Sequence, residues 1–352
     1  MDFDHVHFYL RSRAQSYHFA QQLGLQVCGT WARPGQETLL WGRDAFSILI
    51  TYPCNSPREA EPLLMSHFQN HPDGVVDVAF RVTDVGAQLK TIPESAILSP
   101  LKTKITASGG WAWGVVRGWG DLRHSLIQRW GDAAGHPEYP GLLPEAQHVP
   151  TAPQLLGVDH AVLNVSASEF AQAVAWYQEV LGFVPEQRFA IQTPHSGLIS
   201  RVMVHPLGAA QLPINAPTSD NSQIQRFLDD YGGSGIQHIA LRTGDILSLV
   251  EDLHQRGLEF LPIPDTYYHQ ASQNHPQCFA KLDLDQLRQA QVLIEPQDET
   301  AEQLLLQIFS QPVFDRPTFF WELIERRHQA WGFGAGNFQA LFEAIEQQQR
   351  SE

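Results

Sequence analysis

The most informative hydrophobic run of the chain lies near its end and surrounds a single acidic residue. The run FFWELIERR covers residues 319–327, and Glu322 stands between three aromatic residues and the pair Leu323 and Ile324. A short aromatic and β-branched run of this kind predicts a buried strand. Because an unpaired buried carboxylate is costly, Glu322 needs a partner inside the fold.

Helical periodicity is clearest in two segments. The first follows Ser166 and ends at Gly182; its apolar stripe consists of Phe170, Val174, Tyr177 and Leu181. Ser166 and Glu169 have the spacing of a capping box, and a glycine is a typical helix stop. The second segment lies near the C-terminus, with Asn337 as its expected cap, and its stripe consists of Phe338, Leu341, Phe342 and Ile345.

The two halves of the chain repeat each other in three segments that occur in the same order. The matched pairs are FDHVHFYL (3–10) with VDHAVLNV (158–165), GVVDVAFRVTD (74–84) with GIQHIALRTGD (235–245), and HSLIQR (124–129) with WELIER (321–326). In both halves a helix-like stretch follows the first segment and ends at a Leu-Gly step. We infer a duplicated domain, and the mixture of strands with one or two helices per unit predicts α+β sheets.

A proline-rich stretch separates the two halves. Between Ala133 and Gln154 the chain contains Pro137, Pro140, Pro144, Pro150 and Pro153. Such a segment resists both helix formation and strand pairing, so we interpret it as a linker. The sequence therefore predicts an N-terminal domain of residues 1–150 and a C-terminal domain of residues 151–352.

Composition and charge narrow the possible functions. The chain has 352 residues, 43% of them hydrophobic, and a formal net charge of −15, which disfavours electrostatic binding to nucleic acid or to an anionic membrane. It contains no apolar run of the roughly 18 residues that a membrane span needs, and its first residues lack the basic start of a signal peptide. Three cysteines without CxxC spacing suggest a reducing compartment, so we expect a cytoplasmic protein.

The repeat also reveals a candidate metal site. In the second half, each of the three matched segments contains one residue able to bind a metal: His160, His238 and Glu322. Their wide separation in sequence means that only the fold can bring them together. Two histidines and one carboxylate with open coordination positions form the facial triad of non-haem Fe(II) enzymes. A metal would also neutralise the charge of a buried Glu322.

Structural explanations for the same residues remain open. A single histidine on an apolar strand is more often a hydrogen-bonded core residue than a ligand. Glu322 could instead pair with Arg326 or Arg201. The first half provides a comparison, because its matched positions are His5, Asp77 and Ser125, in which a neutral hydroxyl replaces the carboxylate. We therefore predict one functional metal site in the second half and a degenerate copy in the first.

Two other motifs are weaker candidates. The HVH sequence at residues 5–7 places two histidines on one strand face, which is a common coincidence in a chain with 16 histidines. The run GWAWGVVRGWGD at 110–121 lacks the lysine and the spacing of a phosphate loop, so we interpret it as a packed turn region.

Motifs in the second half resemble those of the 4-hydroxyphenylpyruvate dioxygenase family. The similar segments are LPINAP (212–217), SQIQRFL (222–228), SGIQHIAL (234–241), PDTYY (264–268), LLLQIF (304–309), DRPTFFWELIER (315–326) and GFGAGNFQALFEAIE (332–346). The similarity is dense from about residue 156 to 346 and looser before it. The family belongs to the vicinal oxygen chelate superfamily, which is built from repeated βαβββ modules, in agreement with the duplication.

The resemblance implies an activity and a cofactor. It implies Fe(II) bound by His160, His238 and Glu322, and conversion of 4-hydroxyphenylpyruvate and O₂ to homogentisate and CO₂. The partners expected are thus a small 2-oxo acid and O₂, with no nucleic acid and no membrane, in a homo-oligomer such as a dimer or tetramer. A C-terminal helix is expected to close the site.

The resemblance also implies the residues of a substrate pocket. Polar pocket positions match Ser200, Asn215, Gln223, Gln237 and Gln307. Aromatic or lid positions match Phe309, Phe333, Asn337 and Phe338. Phe320 shares a strand face with Glu322 by period-two alternation, so we expect it to line the site as well. Buried amides need hydrogen-bond partners, and a phenol or carboxylate ligand would supply them.

The sequence departs from the family pattern at four places. Ala216 and Ala335 stand where the family usually has charged residues, Trp321 replaces a phenylalanine, and Gln303-Leu304 replaces a Gly-Tyr pair. We expect the first three to lie beside the pocket or its entrance.

Two alternative functions are compatible with the same motifs. The first is hydroxymandelate synthase, which shares the metal site and substrate but hydroxylates the benzylic carbon. The second is a non-catalytic protein of the same fold that binds an aromatic acid. Iron content and CO₂ release distinguish an enzyme from a binding protein.

Overall fold

The described part of the chain forms two mixed sheets. The computed structural model describes residues 1–54, 60–135, 143–144, 154–192, 196–298, 302–334 and 336–337. Most of the proline-rich stretch, the predicted C-terminal helix, Ala335 and Phe338 lie outside these residues. The short strand Leu143–Pro144 still belongs to the first sheet, and the strand Gly157–Asn164 is the first of the second sheet along the chain. The domain boundary near residue 150 stays a prediction.

The first sheet contains nine strands in the order β6-β7-β8-β5-β1-β4-β3-β2-β9. Their bounds are β1 (Asp2–Tyr9), β2 (Gln26–Arg33), β3 (Gln36–Arg43), β4 (Phe46–Pro53), β5 (Gly74–Arg81), β6 (Ile97–Ile105), β7 (Gly109–Arg117), β8 (Arg123–Gly131) and β9 (Leu143–Pro144). The first sheet is accompanied by the helices α1 (Arg13–Gln22), α2 (Pro62–Asn70) and α3 (Val85–Thr91).

The second sheet contains eight strands in the order β11-β12-β13-β10-β14-β17-β16-β15. Their bounds are β10 (Gly157–Asn164), β11 (Val184–Gln192), β12 (Gly197–Val204), β13 (Gln211–Pro217), β14 (Gly235–Thr243), β15 (Leu293–Pro296), β16 (Leu304–Phe309) and β17 (Phe320–Arg327). The helices of this half are α4 (Phe170–Leu181), α5 (Gln223–Tyr231), α6 (Ile246–Gln255), α7 (Asp265–Asn274), α8 (Pro276–Phe279) and α9 (Leu284–Gln289).

The strand orders confirm the duplication. Read from β2, the first sheet runs β2-β3-β4-β1-β5-β8-β7-β6, which is the order of the second sheet strand for strand. Each half joins two βαβββ modules, and the parallel pairs β1–β4, β5–β8, β10–β13 and β14–β17 stand in equivalent places. The predicted α+β class and the repeated modules are therefore confirmed.

Two β-bulges recur at equivalent places in the halves. In the second half, the pairing between β10 and β14 shifts once at Asp159 and once at Gln237, each of which is an extra residue in its own strand. In the first half, the pairing between β1 and β5 shifts in the same two places. A bulge turns neighbouring side chains toward one face of a sheet, so both copies use the same local geometry around their potential ligands.

The halves pack together through aromatic side chains on the faces opposite the potential ligands. Trp321 is 1% exposed, and its ring stacks on Phe19 of the first half at 5.5 Å between ring centroids. Phe8 also contacts Trp321, at 5.8 Å. These rings belong to one large buried cluster that includes residues from both sheets, and this shared core holds the two halves in contact.

Two local predictions need correction, and a third is confirmed. Helix α4 ends as predicted, with Gly182 at a φ of 73°, but it begins at Phe170; Ser166 bonds the Glu169 side chain instead of capping its N–H. The Gly/Trp run is largely strand β7, because six of its residues pair with strands on both sides. The run around Glu322 is confirmed as strand β17, and its residues 320–325 are buried.

Candidate metal centre

Three adjacent strands bring the predicted ligands together. Strand β14 lies between β10 and β17, and Ala240 pairs with His160 on one side and with Glu322 on the other. The small side chain of Ala240 leaves space between the ligands that flank it. The Nε2 atoms of His160 and His238 lie 3.2 Å and 3.5 Å from Oε2 of Glu322.

This donor set fits a metal ion. The ligand atoms of the three residues lie within 4.8 Å of one another, and all three side chains are buried. Ligands about 2.1 Å from an ion and at right angles to each other lie about 3 Å apart, close to the separations seen here. Two imidazoles and one carboxylate would leave further coordination positions of an ion open.

The electrostatics of the group also suit a cation. Burial alone would raise the pKa of Glu322, but the neighbouring imidazoles, His160 foremost, lower it to about 2. Burial would lower the pKa of His160, but the carboxylates of Glu322 and Asp159 raise it to about 9. The pKa of His238 is lowered, mainly by burial. The carboxylates that favour positive charge on His160 would equally favour a divalent cation bound between the three side chains.

A buried ion pair fixes the orientation of His160. Asp159, the extra residue of the β10 bulge, accepts a hydrogen bond from Nδ1 of His160 at 3.0 Å. Its carboxylate also receives two hydrogen bonds from the guanidinium of Arg326, at 2.8 Å and 2.7 Å. Such partners set the tautomer and direction of a ligating imidazole. Because Arg326 is engaged by Asp159, it is not the partner of Glu322.

A chain of hydrogen bonds links Glu322 to the C-terminal segment. Gln307 donates to Oε1 of Glu322 at 2.8 Å, and Asn337 donates to Oε1 of Gln307 at 2.8 Å. The hydroxyl of Tyr267 donates to Oδ1 of Asn337 at 2.8 Å. Glu295 accepts the backbone N–H groups of 336 and 337. The rest of the predicted helix, including the N–H groups that Asn337 would cap, lies outside the described residues. The Asn337 amide connects the described end of the C-terminal segment to the site.

Aromatic rings surround the ligands. Phe320 stacks on His238 with ring centroids 4.6 Å apart, and Phe309 meets Phe320 edge-on at 6.2 Å. Phe333 lies 5.2 Å from the ring of His160. The structure therefore brings three of the predicted aromatic residues to the ligands, while Phe338 lies outside the described residues.

The predicted polar pocket residues lie on neighbouring elements. Ser200 on β12 pairs directly with Asn215 on β13, and Gln223 begins helix α5, which packs on β13. All three are buried, and within the described part of the chain Oγ of Ser200, both polar atoms of Asn215 and Nε2 of Gln223 have no hydrogen-bond partner. Gln237 is the bulge residue that precedes His238 in β14. Buried polar atoms of this kind point to a ligand or water that completes them.

Two of the residues that depart from the family pattern lie away from the pocket. Trp321 and Ala216 are buried in the shared core, on the strand faces opposite Glu322 and Asn215. The expectation that they lie beside the pocket is therefore wrong, because residues adjacent in a strand point to opposite faces. Ala335 lies outside the described residues.

The equivalent group in the first half is bonded within itself. Both carboxylate oxygens of Asp77 accept hydrogen bonds from Ser125, one from its N–H at 2.9 Å and one from its hydroxyl at 2.7 Å. His5 lies 2.7 Å from Asp4, whose carboxylate also binds Arg129. The first half thus keeps the Asp-His-Arg arrangement but uses its remaining carboxylate to hold a hydroxyl.

Several residues of the site lie outside the motifs that predicted it. Asp159, Arg326 and Tyr267 were not predicted, although an Asp-His dipeptide occurs at residues 4–5 and again at 159–160. That repeated dipeptide was the available signal for Asp159. Tyr267 gave no such signal, because its partner Asn337 lies 70 residues further along the chain.

Comparison with known proteins agrees with this geometry. The family model of the Glyoxalase/Bleomycin resistance protein/Dioxygenase superfamily matches residues 157–280. A 4-hydroxyphenylpyruvate dioxygenase of Caenorhabditis elegans is 36% identical over 99% of this chain and 91% of its own length, and one of Xenopus tropicalis is 34% identical over the same shares. The chain belongs to the 4-hydroxyphenylpyruvate dioxygenase family. Proteins of this family use a metal ion, for which the three ligands are the candidate site.

Other similar proteins extend this comparison. An uncharacterized protein of Synechocystis sp. is 36% identical over 98% of this chain and 97% of its own length. A mutant of 4-hydroxymandelate synthase from Streptomyces coelicolor superposes with a TM-score of 0.82 at 22% identity, covering 99% of this chain and 98% of that one. At that identity the likeness concerns the fold alone. No helix among the described residues is long and apolar enough to cross a membrane.

Proposed function

We propose that this protein is an Fe(II)-dependent dioxygenase that converts 4-hydroxyphenylpyruvate and O₂ to homogentisate and CO₂. The observation that supports this most is the buried group of His160, His238 and Glu322, complete in one half and lost in the other. The membership of the chain in the 4-hydroxyphenylpyruvate dioxygenase family supports the same substrate.

The residues around the metal site would have separate roles in the reaction. His160, His238 and Glu322 would hold Fe(II), which would supply coordination positions for the 2-oxo acid and for O₂. Phe309, Phe320 and Phe333 would enclose the aromatic ring and keep water away from the reacting atoms. Gln307 would hold Glu322 in its ligating direction through the hydrogen bond to Oε1. Fixed placement of the ring next to the metal would select the site of hydroxylation.

The amide pocket supports homogentisate as the product. Hydroxymandelate synthase acts on the same substrate, and a protein of that name has the same fold. The synthase pattern has aliphatic residues where this chain has Pro213 and Asn215. Asn215 can both donate and accept, so with Ser200 and Gln223 it could hold the phenol oxygen and direct the ring carbon that bears the side chain toward the metal.

A turnover assay with product identification tests this proposal. The protein is loaded with Fe(II) without oxygen, then mixed with 4-hydroxyphenylpyruvate and O₂, and released CO₂ and aromatic products are measured. We expect one homogentisate for each CO₂. Hydroxymandelate as the main product would favour the synthase, and substrate binding without CO₂ release would favour a non-catalytic binding protein.

A further inference from the structure

Asn164 is a buried amide in the same half that the motifs did not single out. Its side chain is 0% exposed, and neither Oδ1 nor Nδ2 has a hydrogen-bond partner within the described residues. It lies four residues after His160 in β10. The extra residue in this part of the β10–β14 pairing belongs to β14, so β10 itself alternates regularly and Asn164 faces the same side as His160.

Asn164 extends the polar pocket into a row across three strands. It pairs with Asn215 on the parallel strand β13, and Asn215 pairs with Ser200 on the antiparallel strand β12. Residues paired in this way share a face, and their strands are about 4.8 Å apart. Five polar atoms of this row lack a hydrogen-bond partner in the described chain: Oδ1 and Nδ2 of Asn164, Oδ1 and Nδ2 of Asn215, and Oγ of Ser200.

In the first half, the equivalent row of side chains has hydrogen-bond partners within the protein. Its equivalent positions are Tyr9, Thr51 and Thr38, which have the same pairing between strands. There, Thr38 and Thr51 share a hydrogen bond at 2.7 Å, and Arg123 donates to the hydroxyl of Tyr9 at 3.0 Å. The incomplete row therefore occurs in the half that has the complete set of metal ligands.

The position of the row defines the ligand that would complete it. Asn164 lies four positions after His160 along the strand, about 13 Å away between Cα atoms, so a single ligand that touches both the metal ligands and the row must span a distance of this order. Asparagine amides can both donate and accept, so they complement a hydroxyl group, which also does both. A bare ring edge would leave the same atoms buried and unpaired.

We propose that Asn164 is a specificity-determining residue. Together with Asn215 and Ser200 it would select a 2-oxo acid whose ring bears a hydroxyl at the end remote from the metal. This inference rests on the proposed function for the identity of the substrate. What is new is the role of Asn164: a residue on the same strand as the ligand His160, four positions beyond it, would set the preference for the hydroxylated ring.

Comparison of two ligands by binding tests the proposal independently of turnover. Affinities of the Fe(II)-loaded protein for 4-hydroxyphenylpyruvate and phenylpyruvate are measured by calorimetry without oxygen, in the unmodified protein and in Asn164→Leu. We expect the unmodified protein to prefer the hydroxylated ligand, and the variant to lose about tenfold of that preference with unchanged affinity for phenylpyruvate. Tyr9→Phe, at the equivalent position of the first half, should leave the preference unchanged.

The outcomes separate this inference from the proposed function. A preference unchanged in Asn164→Leu, or an equal loss of affinity for both ligands, overturns the role of Asn164. Failure of the unmodified protein to bind either ligand overturns it as well. If the preference collapses in the variant while the unmodified protein releases no CO₂ in air, the role of Asn164 stands and the proposed reaction fails.

Discussion

At the scale of single residues, the buried carboxylate of Glu322 has a complete set of neighbours. One oxygen faces the two imidazoles and the other accepts a hydrogen bond from Gln307. The carboxylate is therefore stabilised by partners that also form a ligand set. Sequence predicted these three ligands because each lies in a segment that the two halves share.

Replacement of Glu322 should separate metal binding from folding. Glu322→Ala removes the anionic ligand and leaves two histidines that can be neutral, so no buried charge is stranded. We expect loss of bound Fe(II) and of activity, with a decrease in unfolding free energy of about 1–3 kcal/mol from the unpaired amide of Gln307. Metal analysis and thermal unfolding measure the two effects. Ser125→Ala, at the equivalent position, should keep its iron; iron retained in full by Glu322→Ala would show that the ligands are misassigned.

At the scale of secondary-structure elements, the bulged strands β1 and β10 provide a matched pair. Asp4 with Arg129 and Asp159 with Arg326 have the same side-chain exposures, 4% for each aspartate and 8% for each arginine. Sequence could predict the strands but not these pairs, since a bulge shifts pairing by one residue and leaves no periodic signal. The sides faced by Trp321 and Ala216 are different, because both strands pair regularly and simple alternation places each residue opposite its neighbour, Glu322 or Asn215.

The two aspartates should differ in one measurable property. Asp159→Asn and Asp4→Asn each leave a buried guanidinium without its anion, so each should lower the unfolding free energy by about 3–5 kcal/mol. Only Asp159→Asn should also weaken Fe(II) binding, by about 10–100-fold, because it frees the ring of His160. Denaturant unfolding and anaerobic Fe(II) titration test this. Equal iron affinities of the two variants would refute the orienting role of Asp159.

Helix α7 contributes a second matched pair of neighbouring tyrosines. The hydroxyl of Tyr267 donates to Asn337 and accepts from the N–H of Ile294, whereas the buried hydroxyl of Tyr268 has no partner among the described residues. Tyr267→Phe should therefore cost about 1–3 kcal/mol of stability and raise KM for the 2-oxo acid, while Tyr268→Phe should be neutral or stabilising. Indistinguishable kinetics of the two variants would rule out the link from α7 through Asn337 and Gln307 to the site.

At the scale of the whole molecule, duplication explains most of what the sequence could predict. Matching segments imply matching strands, so the duplicated α+β architecture and the ligand strands followed from three short similarities. Contacts made by one half alone did not follow, because the repeat offers no second copy for comparison. Two such features occur in the second half alone: the series of hydrogen bonds from Tyr267 to Glu322, and the incomplete row of polar side chains that includes Asn164.

The first half also affects how stability depends on pH. His67 is buried against Tyr9, and burial lowers its pKa to about 4, below its ordinary value of 6.5. Between these two values the unfolded chain binds more protons than the folded one, so unfolding free energy falls as the pH decreases from 6.5 to 4. One histidine contributes a slope of up to about 1.4 kcal/mol per pH unit. Urea unfolding across this range should show a shallower slope for His67→Gln; identical slopes would contradict the assignment.

The central claim is that this chain has one metal centre, formed by the second half. Metal analysis after anaerobic Fe(II) loading and removal of loose ions tests it most directly, on the unmodified protein and on the His160→Ala/His238→Ala double variant. The first half should hold no iron, since Asp77 already binds Ser125 through both oxygens. We predict one ion per chain in the unmodified protein and none in the double variant. Tightly held iron in the double variant would contradict the account.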